Sequence, residues 1–111
     1  DRIIVAEIKS YNGSLFQKND RWVIQSGDYE GYRTNGLKQV IRAAKILAGT
    51  IKTKLKQKHG VRPPYVDYCV VLCGTANAKN LPSDVRDRVF TLEEFKDMGN
   101  PKVFEKSIFG Y

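Results

Sequence analysis

The 111-residue chain is 41% hydrophobic, with five Phe, six Tyr and one Trp, enough for one domain with a modest core and too little for two. Its apolar runs fall short of the roughly 18 residues of a membrane-spanning helix, and its opening residues carry no signal-peptide pattern. Nineteen Lys and Arg against 12 Asp and Glu give a net charge of +7, which suits a polyanionic partner, nucleic acid first among them; charge serving solubility alone is the plain alternative.

Residues 2–9 read as a strand, buried over most of its surface until Glu7 and Lys9 interrupt the apolar run Ile3-Ile4-Val5-Ala6-Glu7-Ile8-Lys9. Strand positions i and i+2 share a face, so the two charges project side by side. The plain reading is a salt-bridged pair at a strand end. The functional one is a hydrolytic site, in which Glu7 holds a divalent metal and Lys9 orients a water or steadies phosphate charge. The chain opens on Asp1, already inside this strand-like run, which points to a fragment or a domain cut from a longer protein. Tyr11-Asn12-Gly13 reads as a turn. Residues 14–17 and 21–25 read as a hairpin through Lys18-Asn19-Asp20, anchored in the core by Trp22. Residues 26–34, rich in Gly and Tyr, read as a loop. Its Tyr29, Tyr32 and Arg33 either pack plainly or grip a nucleic-acid strand by stacking.

Asn35 fits a helix N-cap, and the helix it opens is expected to reach about Lys58. Leu37, Val40, Ile41, Ala44, Ala48, Ile51 and Leu55 form its apolar stripe. Lys38, Arg42, Lys45, Lys52 and Lys56 fall within about 80° of one another on another face. That row either tracks a phosphate backbone or is an ordinary solvated surface. Gln39 lies off the apolar stripe and by itself reads as a surface amide. Gly60 is placed as the helix cap and His59 as a cation near the helix C-terminus; Pro63 and Pro64 forbid continuation.

Residues 66–73 read as a second core strand, central and covered on both faces. Its Cys69 and Cys73 would stand roughly 13 Å apart along a strand, beyond the reach of a disulfide. Reduced thiols and a cytoplasmic setting are expected. Residues 74–87 read as a polar loop and residues 88–90 as a short edge strand. Thr91 and Glu94 fit a capping box that opens a helix to about Met98. Residues 102–109 form a further turn or short helix. The expected fold is an α/β (α+β) single domain over residues 1–111, with the long helix crossing between two core strands.

Val5-Ala6-Glu7-Ile8-Lys9-Ser10-Tyr11-Asn12-Gly13 resembles the E-[VIT]-K-x-[WY]-x-G signature of the nuclease-related domain, NERD, a family of the PD-(D/E)xK nuclease superfamily. Asp20-Arg21-Trp22 is similar to the family's Trp-bearing hairpin strand. Asn35-Gly36-Leu37-Lys38-Gln39 resembles its N-P-[LI]-x-Q helix start, with Gly36 where Pro is usual. The resemblance implies a restriction-endonuclease-like mixed central sheet and hydrolysis of DNA. It implies Glu7 and the Ile8 carbonyl as ligands of Mg²⁺ (or Mn²⁺), Lys9 positioning the attacking water, and Gln39 at the rim of the site. Lys38, Arg42, Lys45, Tyr32 and Arg33 are the candidate DNA contacts. The superfamily also places an acidic residue on the strand before E-x-K, and only six residues precede Glu7. The fold is therefore expected to be N-terminally truncated, with the missing acid supplied by a homodimer partner or a larger parent polypeptide. The alternatives are an inactive nucleic-acid-binding module with the same fold, or an interaction domain that binds no nucleic acid.

Overall fold

The computed structural model describes residues 2–56, 58 and 60–110. Strand β1 (Arg2–Ser10) pairs in parallel with β5 (Tyr65–Cys73), and β5 with β7 (Val89–Thr91), giving a three-stranded sheet in the order β1-β5-β7. Helix α1 (Gly36–Leu55) makes the crossover between β1 and β5 and packs on both, as parallel neighbours require. Among the described residues β5 is the central strand of this sheet. Cys69, Val70, Val71 and Leu72 are all buried, which accounts for its unbroken apolar run. One face, with Val70, Leu72 and Val89, joins Val40 of α1, Trp22 and Leu15; the other, with Cys69 and Val71, lies under Phe109, Phe104 and Phe95.

The second sheet has the order β4-β3-β2-β6: an antiparallel meander of β2 (Ser14–Lys18), β3 (Arg21–Ser26) and β4 (Tyr29–Arg33), with β6 (Asn77–Asn80) parallel to β2. Bonds from Tyr11 N to Cys73 O (3.2 Å), Ala76 N to Tyr11 O (3.0 Å) and Asn77 N to Gly13 O (2.9 Å) carry the β1–β5 pairing round a corner into β2–β6. Gly13 (φ +99°) and Gly74 (φ +98°) make that corner. A Cβ on either would stand within 2.7 Å of a backbone oxygen, and positive φ is strained for other residues.

Three expectations are corrected. Residues 26–34 are not a loop: Gly27 (φ +58°) turns the chain tightly, and β4 pairs with β3 from Trp22↔Arg33 to Ser26↔Tyr29. Its charged and aromatic residues hid a strand that shows only one face to the core. Residues 74–87 are not simply a polar loop, since they contain β6 and the one-turn helix α2 (Ser83–Arg86), held by buried Leu81 and Val85. Helix α1 ends at Leu55, the last residue of its apolar stripe, with Lys56 as cap, short of the expected end at about Lys58 and cap at Gly60; His59 lies outside the described residues.

The remaining ends follow their local chemistry. Asn35 caps α1, its Oδ1 accepting from Lys38 N at 3.1 Å. Thr91 and Glu94 form the expected reciprocal capping box of α3 (Leu92–Asp97). Asn100 caps α4 (Pro101–Lys106). Trp22 is fully buried. A Cβ at Gly36 would meet its ring at 3.1 Å, so glycine lets the start of α1 dock against the indole. No helix among the described residues is long and apolar enough to cross a membrane.

Candidate active site

Glu7 and Lys9 sit near the C-terminal end of β1, on the face that α1 covers. Val5, two residues earlier, packs into the α1 cluster. The alternation of the strand brings Lys9 Nζ to 3.3 Å from Glu7 Oε1. Both side chains are partly sheltered, 16% exposed for Lys9 and 28% for Glu7. β1 pairs only with β5, so it is an edge strand of the described sheet and half its peptide groups point away from the ladder. Ile8 lies between the two charged residues on that edge, its side chain 65% exposed.

Gln39 stands in the first turn of α1, exposed, with its backbone N–H bonded to Asn35 O at 3.2 Å. No hydrogen bond joins its side chain to Glu7 or Lys9 among the described residues. Lys38 Nζ is held 2.8 Å from Asp20 Oδ2, and Asn35 Nδ2 donates to Asp20 O at 3.0 Å. The first turn of α1 and the β2–β3 turn thus fasten each other. Arg42 and Lys45 are exposed on the outer side of α1, where with Lys38 they flank a shallow groove floored by Ile41 and Ile46.

The strand geometry of β4 separates two residues that the sequence placed together. Tyr32 points outward, 57% exposed, its ring 5.3 Å from the Arg21 guanidinium. Arg33 turns to the other face, directly across from Trp22. Its Nη1 donates to Tyr32 O at 2.9 Å and its Nη2 to the Tyr29 hydroxyl at 3.1 Å. Arg33 and Tyr29 join Ser10, Tyr11, Asn12, Ile24 and Ser26 around a cleft of about 230 Å³. Tyr11 packs on the same core cluster as Val5 and donates its hydroxyl to Thr34 O at 3.4 Å. The cleft therefore opens at the C-terminal end of β1, directly after Lys9 in the chain. Glu30, on the outward face of β4, pairs with Lys18 at 2.8 Å. That hydrogen bond lowers the Glu30 pKa and raises that of Lys18.

Sequence reasoning passed over a second charged group. Asp67 is 4% exposed at the start of β5. Its Oδ1 accepts from Arg88, and its Oδ2 lies 3.8 Å from Arg2 Nη1. Arg88 is stacked on Tyr68, 4.7 Å to the ring centre. Asp67 alternates with Cys69 and Val71, on the face away from α1, so this group stands apart from Glu7 and Lys9. The one signal was an Asp inside an otherwise apolar run. Burial, with a contribution from Asp67, pushes the Cys69 thiol up to about 11.

Among the described residues no three His, Cys, Asp or Glu side chains cluster as a metal site. The Glu7 carboxylate and the Ile8 carbonyl are hard oxygen donors. Mg²⁺ often binds through one or two carboxylates, completing its shell with waters and substrate phosphates, so the two groups fit that ion as part of a shell.

The nuclease-related domain model matches residues 1–73. The chain belongs to the nuclease-related domain family. The matched part runs from β1 through β5 and contains Glu7, Lys9, Gln39 and Arg33, while β6 to α4 lie beyond it. No curated protein and no solved structure matches the chain.

Proposed function

We propose that this nuclease-related domain is a metal-dependent DNA nuclease that hydrolyses phosphodiester bonds. The observation that carries the reading is the Glu7–Lys9 pair, 3.3 Å apart and half-sheltered at an open strand edge. Glu7 and the Ile8 carbonyl would hold Mg²⁺ or Mn²⁺. When bound, the ion supplies charge stabilisation at a phosphoryl oxygen and lowers the pKa of its water. Lys9 donates from its ammonium to a water or to a non-bridging phosphate oxygen, while its pairing with Glu7 holds the long side chain in place. Gln39, exposed in the first turn of α1, would serve at the rim of the site. Arg42 and Lys45 add sequence-independent attraction for the DNA backbone. A second copy of the chain, or further polypeptide, would supply another carboxylate to complete the metal shell.

The test is nicking of supercoiled plasmid with Mg²⁺ or Mn²⁺, beside EDTA and Lys9→Ala controls. Metal-dependent nicking should fall by about 10²–10³-fold in Lys9→Ala, the usual cost of removing one positioned donor at developing charge. An unchanged rate would sink the reading. DNA retention without cleavage would favour the inactive binding module. Replacing Arg42 and Lys45 together should reduce the salt slope of DNA binding by about two.

A further inference from the structure

The cleft beyond Lys9 contains an arrangement that the E-x-K pair does not use. On β4, Tyr29, Gly31 and Arg33 share one face, and the Tyr29 hydroxyl meets Arg33 across Gly31 at 3.1 Å. A Cβ at Gly31 would lie 2.4 Å from that hydroxyl and 2.8 Å from Arg33 Nη1. The missing side chain is what allows the two to join. Arg33 is half-buried, and its guanidinium is braced a second time by Tyr32 O.

The lining is rich in donors. Arg33 brings a permanent positive charge; Ser10, Ser26 and Tyr29 bring hydroxyls. Asn12 already commits its Oδ1 to Thr75 N and Oγ1, at 3.1 and 3.0 Å, which leaves its amide NH₂ to donate. Among the described residues no Asp or Glu lines the cleft; of the two acids that flank Tyr29, Glu30 faces the other way, paired with Lys18, and Asp28 is exposed in the β3–β4 turn. A planar guanidinium with hydroxyl and amide donors and no competing carboxylate is suited to a phosphate. A volume of about 230 Å³ equals the liquid share of roughly eight waters, which is room for a phosphate group and its sugar edge. It is too small for a stacked duplex.

We infer that the Tyr29–Gly31–Arg33 face of β4 is a phosphate-seating pocket for the DNA strand that runs past Lys9, with Arg33 as its positioning residue. The inference rests on the nuclease reading for the identity of the strand but not for the existence of the pocket. Arg33 touches a phosphate next to the scissile one, so it sets where the chain lies, and it leaves the chemistry to Glu7 and Lys9.

The experiment is a titration of the ¹⁵N-labelled chain in EDTA with thymidine 3′,5′-bisphosphate, with inorganic phosphate as a separate arm. Shifts should centre on Ser10, Asn12, Tyr29 and Arg33. Affinity should fall about tenfold in Arg33→Ala, as expected for the loss of charge-assisted hydrogen bonds, and comparably in Gly31→Ala, which keeps every charge and only pushes the Tyr29–Arg33 pair apart. Far-ultraviolet circular dichroism checks the fold of both variants, and Lys96→Ala, which removes an exposed cation of α3, should bind as the wild type does. Equal binding by wild type, Arg33→Ala and Gly31→Ala, or shifts confined to α1, would overturn the pocket. Inorganic phosphate binding as tightly as the bisphosphate would overturn its assignment to a nucleic-acid strand. The plasmid assay separates the two claims. Pocket binding without any cleavage removes the nuclease reading and leaves the pocket. Cleavage with KM unchanged in Arg33→Ala does the reverse.

Discussion

Two acid–base groups sit on neighbouring strands of one small sheet and meet opposite fates. Asp67 is almost fully enclosed, gripped by Arg88 and faced by Arg2. Glu7 and Lys9 keep 28% and 16% of their surface on an edge strand. A buried ion pair costs desolvation that its partners must repay, and removing one partner strands the other charge. A pair still partly open to water demands less repayment than an enclosed one and can release its partner to a ligand. Similar side chains thus serve as a fastening on one face and as a candidate site on the other.

The sharpest way to break this contrast is to remove one acid from each pair and measure urea unfolding. Asp67→Ala should cost about 3–5 kcal/mol, because it leaves arginine charge beside a closed core. For a domain of this size that is a large share of a total of about 5–15 kcal/mol, so a lower expression yield goes with it. Glu7→Gln should cost less than about 1 kcal/mol. Equal costs for the two would erase the distinction between the fastening and the site.

A smaller effect separates the two cysteines of β5. Cys69 is buried on the Asp67 face, its thiol pushed to about 11, whereas Cys73 is half-buried at the strand end. Iodoacetamide at pH 8 should modify Cys73 first and reach Cys69 only after unfolding, because the thiolate is the reacting species. Because the folded Cys69 holds its proton more tightly than the unfolded one, its share of stability is complete below the ordinary thiol pKa. That share is lost as pH rises toward 11. Modification of both thiols at one rate would show that the Asp67 face is open.

Much of this was legible in the sequence. The apolar runs of β1 and β5, the α1 stripe with Asn35 before it, buried Trp22 and the Thr91–Glu94 box all follow local rules that the packing leaves intact. Adjacency of Glu7 and Lys9 follows from strand alternation alone. Strand β4 was missed because its outward residues, Glu30 and Tyr32, and its two flanking turns mask a period that only pairing with β3 imposes. For the same reason Tyr32 and Arg33 read as one patch although the strand sends them to opposite faces. The Asp67 group was hidden because its arginines come from residues 2 and 88, and no local pattern links positions so far apart.

The corner that joins the two sheets also shapes how the chain must fold. Asn12 and Thr75, bonded there, are 63 positions apart in sequence, and every β1–β5 contact spans a comparable distance. The entropy of closing so long a loop is spent before any of those contacts forms, and mixed domains with such distant pairing fold more slowly than helical ones. The hairpins β2–β3 and β3–β4 and helix α1 need no such closure. They can assemble early, while the pairing of β1 with β5 waits for the two ends of the matched segment to meet. Stopped-flow refolding followed by Trp22 fluorescence should show this as a slow, denaturant-sensitive phase that accelerates when residues are deleted from the connection between α1 and β5; a rate indifferent to that connection would place the closure after the limiting step.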